Sequence, residues 1–204
     1  MITASRMKCS SRPFTTLPPI EAQLVLDLGG HVGFSALFLA RRFPAAQIVV
    51  VEPDAGRAQQ VRKHVLANGL GTRVEVIEAA AGNRNGMVHL SRQGSSSQVG
   101  IDGDAVRLVD VFELMDLHKV NILKMDIEGG EYAIRADPRF VTLSPDIIAM
   151  EWHTTPGHAD GHQWCHRRLV EPGYRITAES SEVEWAGNVI AERSGVTSLR
   201  QRAC

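Results

Sequence analysis

The stretch that decides the fold is Val25-Leu26-Asp27-Leu28-Gly29-Gly30-His31-Val32-Gly33. Leu24 to Leu28 form a short apolar run with strand character, and the glycines that follow end it. Phe34, Leu37, Phe38 and Phe43 then recur at helical spacing, which predicts a helix directly after the turn. A second apolar run, Gln47 to Val51, closes a βαβ unit and is followed by Glu52. Parallel sheets bind ligands just beyond the carboxyl ends of their strands, near a helix N-terminus. A nucleoside-binding crevice is therefore expected within the first quarter of the chain.

A dinucleotide-binding turn requires G-x-G-x-x-G, and here Asp27 stands where its first glycine belongs. A carboxylate beside the loop repels a pyrophosphate and suits a ligand that carries an ammonium group. Asp27, Gly29, Gly30 and Gly33 instead resemble the D-x-G-x-x-x-G loop of class I S-adenosylmethionine-dependent methyltransferases. On that reading Glu52 accepts hydrogen bonds from both ribose hydroxyls. Glu78, Ala79 and Asp126, each at or just after the end of a predicted strand, complete the expected cofactor set.

The bulk properties fit one α/β domain. The 204 residues are 44 % hydrophobic and 22 % charged, with a formal net charge of -1. Such a composition gives no basic field for nucleic acid, and no apolar run approaches a membrane span. Residues 1–22 read as a flexible lead-in without a secretory signal core, and residues 23–204 as a single domain. Cys9, Cys165 and Cys204 are odd in number and scattered, which predicts free thiols and a cytoplasmic protein.

Further elements follow in order. Asp54 to Asn68 predicts a helix with Val61, Val65 and Leu66 inward, and Arg73 to Ile77 a third strand. Glu78 to Gly82 reads as a small-residue turn, Met87 to Leu90 as a strand, and Gly94 to Ser97 as the most loop-like segment. Asp110 to His118 predicts a short helix, Val120 to Met125 and Pro145 to Met150 two strands. A helix is expected to start near Glu131, another to run from about His158 to Val170, and strands at Tyr174 to Thr177 and Asn188 to Glu192 to form an antiparallel edge. The fold class is thus α/β, with a mostly parallel Rossmann-like sheet and helices on both faces.

Two later strand ends carry the candidate chemistry: Asp126 with Glu128 and Glu131, then Glu151 with His153. In an open α/β sheet these ends share one rim with the glycine loop. His153 is the preferred general base, since an imidazole titrates near neutrality and adjacent acids would hold its tautomer. Alternatively, Asp126 and Glu151 ligate Mg²⁺, which prefers hard oxygen donors and retains water. Lys124 sits within the strand before Asp126 and reads as one partner of a buried ion pair.

Ile122-Leu-Lys-Met-Asp-Ile-Glu-Gly-Gly-Glu131, taken with Asp27 to Gly33, Val51-Glu52-Pro53 and Met150-Glu-Trp-His153, resembles the FkbM family of methyltransferases. The K-x-D-x-E-G-x-E run is its most specific part, and the likeness extends from about Val25 to His153. It implies S-adenosylmethionine as methyl donor and O-methylation of a sugar or natural-product hydroxyl. A short lead-in before the first strand and His31 within the glycine loop depart from the family pattern.

The expected partner is a small-molecule or oligosaccharide hydroxyl acceptor, with no nucleic acid and no membrane; a homodimer is left open. Residues 94–118 and 152–185 would shape the acceptor pocket, where Trp152, Trp164 or Trp185 could stack on a sugar. His158, His162 and His166 lie at helical spacing near Cys165, but without a C-x-x-C partner, and with Gly161 as an interruption, they read as a solvated helix face. Two other readings stay open: a nicotinamide-dependent oxidoreductase of Rossmann architecture, opposed by Asp27 and by the lack of Tyr-x-x-x-Lys, and a non-catalytic S-adenosylmethionine-binding module.

Overall fold

The structure is a computed structural model that describes residues 17–195, except 94, 95, 101, 129 and 156. Cys9, Cys204 and the lead-in over residues 1–16 lie outside the described residues. Strand β1 (Leu24–Leu28) leads into helix α1 (Phe34–Arg42), strand β2 (Gln47–Glu52), helix α2 (Ala55–Ala67) and strand β3 (Val74–Glu78). The chain then forms β4 (Ala80–Gly82), β5 (Gly86–Gln93), β6 (Ser96–Gly100) and β7 (Asp104–Asp110), followed by helix α3 (Val111–Leu117). Strand β8 (Ile122–Met125), helix α4 (Glu131–Ala136), strand β9 (Ile147–His153), helix α5 (Gly161–Val170), β10 (Tyr174–Val183) and β11 (Ala186–Arg193) complete it.

Seven strands form the main sheet in the order β10-β11-β9-β8-β1-β2-β3. The five from β9 to β3 are parallel, and β11 pairs antiparallel with both β9 and β10. The central strands are apolar without alternation because helices cover both faces. Val25, Ile48, Val50 and Ile122 pack toward α1 and α2. Leu26, Leu28, Met125 and Met150 pack on the other side with Ile134, Phe140, Cys165 and Leu169. The chain runs outward from β1 to β3 and restarts at β8 on the other side of β1, so the topological switch lies between Leu28 and Met125. That is where a doubly wound sheet opens a crevice.

Several expectations are corrected. Leu66 is exposed rather than inward, and α1 buries Ala36, Leu39 and Ala40 while Phe34 faces out. Residues 80–82 are a strand, not a turn, and begin a second sheet of order β4-β7-β5-β6. Ser96 and Ser97, expected in a loop, lie in β6 and pair with β5; Gly94 and Ser95 fall outside the described residues. Gly161 opens α5 rather than interrupting it. A Cβ there would meet the His153 carbonyl oxygen at 2.5 Å and Tyr132 Oη at 2.6 Å, so glycine lets the helix start against the end of β9.

Candidate active site

At the switch point, Gly29 is pressed against the first residue after β8. A Cβ on Gly29 would lie 1.7 Å from the carbonyl oxygen of Asp126, and its φ of +83° is one that side chains disfavour. Gly30 and Gly33 continue the turn, with Gly33 capping α1. His31 takes a positive φ of 48° and donates its backbone N–H to Glu52 Oε2 at 2.8 Å. Asp54 donates its own backbone N–H to Glu52 Oε1 at 3.0 Å. Burial pushes the Glu52 carboxyl up from its ordinary value against the pull of these two hydrogen bonds. One acid thereby joins the glycine loop to the end of β2.

Asp27, expected at the ligand, is fully buried beneath the loop. Ser35 Oγ donates to its Oδ2 at 2.6 Å, and Lys124 Nζ lies 3.0 Å from its Oδ1. The Lys124 ammonium also donates to the Gly29 carbonyl at 2.7 Å and lies 3.8 Å from Asp126 Oδ2. Burial opposes its charge, but Asp27 and Asp126 outweigh burial and hold Lys124 above its ordinary pKa. The ion pair read from the sequence is present, and it fixes the loop from below. Glu78 is exposed at the end of β3 and pairs with Arg62 at 3.2 Å, while Ala79 is buried and donates its N–H to the Glu52 carbonyl at 3.2 Å.

Beyond β8 and β9 the expected acids and imidazole do converge. His153 Nδ1 lies 3.0 Å from Glu131 Oε1, and its Nε2 lies 3.8 Å from Glu128 Oε2 and 3.9 Å from Glu151 Oε1. Burial disfavours the imidazolium, but the hydrogen bond to Glu131 and the charges of Glu131, Glu151 and Glu128 prevail and raise His153 to about 9. Burial, the Asp126 charge and a hydrogen bond with Asp126 raise Glu151 to about 8. Glu128, held at a φ of 53°, is also raised, mainly by burial. Both shifts run upward, so a proton held on either His153 or Glu151 relieves the crowding of acids at this rim.

The raised proton affinity bears on the role expected of His153. An imidazolium cannot accept a proton, so His153 must first lose one to act as a base. Asp126 lies within hydrogen-bond reach of Glu151, and the two belong to no three-ligand group of His, Cys, Asp or Glu among the described residues.

Glu131 is 1 % exposed and lies behind His153. Its place in the first turn of α4, after the strand-end acid, was the available signal. Tyr132 Oη donates to the His153 carbonyl. Trp185, in the tight turn between β10 and β11, is 59 % exposed, and its ring centroid lies 6.4 Å from that of His153. Trp152 is buried, and Trp164 is half-buried against Tyr132 and His158.

The sequence profile of the Methyltransferase FkbM domain matches residues 27–176. A FkbM methyltransferase structure from Methylobacillus flagellatus superposes with a TM-score of 0.59 at 18 % identity, covering 84 % of this chain and 43 % of that one. A SAM-dependent methyltransferase from Aquifex aeolicus gives 0.53 at 12 % identity, over 90 % and 88 % of the two chains. The tRNA1(Val) (adenine(37)-N6)-methyltransferase of Aeromonas hydrophila is 44 % identical over 64 residues. Those residues are 31 % of this chain and 27 % of that relative, so only about a quarter of its length is spanned. No helix among the described residues is long and apolar enough to cross a membrane. With three quarters of its length matched by the family profile, the chain belongs to the FkbM family of S-adenosylmethionine-dependent methyltransferases.

Proposed function

We propose that this protein methylates a hydroxyl of a sugar or a related polyhydroxy natural product, with His153 as the base. The observation that carries the reading is the His153–Glu131 contact at the rim of the crevice. Glu131 holds Nδ1–H, which fixes the tautomer and leaves Nε2 as the acceptor, the arrangement that orients a catalytic imidazole elsewhere.

The crevice suits S-adenosylmethionine. The backbone turn at Gly29 brings no side chain over the ligand side, Glu52 presents a carboxylate there, and the acidic rim favours a cation. When bound, the cofactor supplies an electrophilic methyl group on a sulfonium. The chain holds the acceptor oxygen in line, a contribution worth on the order of 7–11 kcal/mol. Once neutral, His153 Nε2 would accept the proton of the acceptor hydroxyl, and Trp185 offers an apolar face for a sugar ring.

The test is transfer of labelled methyl from S-adenosylmethionine to a panel of saccharides and polyols in EDTA. Label in a hydroxyl acceptor, lowered about 10²–10⁴-fold in His153→Gln, is the expected result. Label found only in adenine of RNA would overturn it and favour the activity of the partial tRNA-modifying relative. The net charge of -1 argues against that outcome.

A further inference from the structure

We propose that His162, His166 and Glu179 form a binding site for a borderline divalent cation of the Zn²⁺ type, outside the methyl-transfer crevice. His162 and His166 lie one turn apart on α5, and Glu179 reaches them from β10. One ligand atom from each lies within 4.8 Å of the others. His162 Nε2 is 3.3 Å and His166 Nε2 2.8 Å from the same oxygen, Oε2 of Glu179.

The spacing matches the chemistry. An ion about 2.0–2.1 Å from each of two tetrahedral donors separates those donors by roughly 3.3 Å. The His162–Glu179 distance already has that value, and the His166 distance needs only a small opening. A carboxylate oxygen flanked by two Nε2 atoms requires a proton between them or a cation in place of it. Two imidazoles and one carboxylate favour a borderline ion over Mg²⁺ or Ca²⁺, with the fourth position left to water. Neither imidazole is loosely placed: the His162 ring centroid sits 5.1 Å from that of Trp152 and 4.4 Å from that of His166.

The three residues belong to elements that the ion would fasten together. α5 begins at Gly161 against the His153 carbonyl, and β10 pairs with β11, which carries the turn of Trp185. A bound ion therefore stiffens the wall beside the candidate base without touching the reacting atoms. The proposal does not depend on the acceptor or on methyl transfer itself.

Equilibrium dialysis against Zn²⁺ and the visible spectrum after Co²⁺ addition test it, using tag-free full chain after chelation. One ion per chain and a tetrahedral-type Co²⁺ spectrum are expected in the wild type. His166→Gln and Glu179→Gln should each weaken binding at least tenfold while retaining wild-type S-adenosylhomocysteine binding, which shows that they are folded. Zn²⁺ should also raise the thermal midpoint of the wild type and not of the variants. No stoichiometric binding in the wild type would overturn the proposal and leave two ordinary His–Glu hydrogen bonds. Binding unchanged in both variants would overturn it equally, placing the ion elsewhere, for example on Cys9 or Cys204.

Discussion

His153 and Glu131 meet through Nδ1 and Oε1 at 3.0 Å, with Glu131 buried at the start of α4 and His153 at the end of β9. The pair couples the stability of the active-site rim to pH. His153 is raised from 6.5 to about 9, so its contribution is complete below about pH 6.5 and is lost as pH rises through about 9. Glu151, raised from 4.5 to about 8, acts in the same direction, because its ionisation in that window is penalised in the folded state. The unfolding free energy should fall by on the order of 3 kcal/mol between about pH 6 and about pH 9.5. Urea titrations at the two pH values check this, and His153→Gln should shrink the difference to the part that Glu151 carries. A stability that rises over that range would contradict it.

The same charges shape catalysis. kcat/KM is expected to increase with pH toward about 9, as the free enzyme loses the His153 proton. Glu131→Gln removes the principal stabiliser of the imidazolium, so the limb should move to lower pH while kcat falls about tenfold or more through lost orientation. A limb unmoved in Glu131→Gln and retained in His153→Gln would assign the base to Glu151 instead.

A sulfonium placed beside this rim opposes the proton on His153. S-adenosylmethionine should therefore release protons on binding, and S-adenosylhomocysteine, which lacks the sulfonium, should release fewer. Calorimetry in two buffers of different ionisation enthalpy reads the difference. Equal proton release for both ligands would remove the cation from the neighbourhood of His153.

Gly29→Ala tests the closeness of β1 and β8. A Cβ 1.7 Å from the Asp126 carbonyl oxygen, added to a φ of +83°, should cost on the order of 3 kcal/mol or prevent folding. Gly173→Ala is the control, since it shares a positive φ but meets nothing within 4 Å. It should cost only about 1 kcal/mol, and equal losses in the two variants would contradict the close approach.

Lys124→Met leaves the buried Asp27 carboxylate without its cation, with the Ser35 hydroxyl still donating to it, at an expected cost of about 3–5 kcal/mol. Restoring neutrality with Asp27→Asn in the same chain should recover a large part of that loss. A double variant no more stable than Lys124→Met would show that the pair does not fix the loop through its charges.

The sheet and the loop were legible because their signals are local. Asp27 to Gly33 and the acid that ends β2 lie within thirty residues of sequence, and buried parallel strands announce themselves as apolar runs. The second sheet was not legible. Ala80 to Gly82 pairs with Leu108 to Asp110, and a three-residue run of small side chains carries no strand period of its own. Leu66 misled for a related reason: it fits the helical spacing but faces outward, whereas the small Ala36, Ala40 and Ala58 fill the narrow space under the sheet-facing helix surfaces. In the site, residue types could be read but charge states could not. His153 next to Glu151 suggested a base in sequence; only the buried Glu131 behind it accounts for its raised proton affinity. Glu179 could not be joined to His162 and His166, because that meeting depends on how α5 lies over β10.

Calorimetric titration of S-adenosylhomocysteine into the wild type and into Glu52→Gln tests the central claim most directly. Binding at one site per chain is expected, weakened at least tenfold in Glu52→Gln, whose amide oxygen accepts fewer hydrogen bonds than the carboxylate now holding the loop. Absence of binding to the folded wild type, or binding indifferent to Glu52, would contradict the assignment of the glycine-loop crevice as the cofactor site.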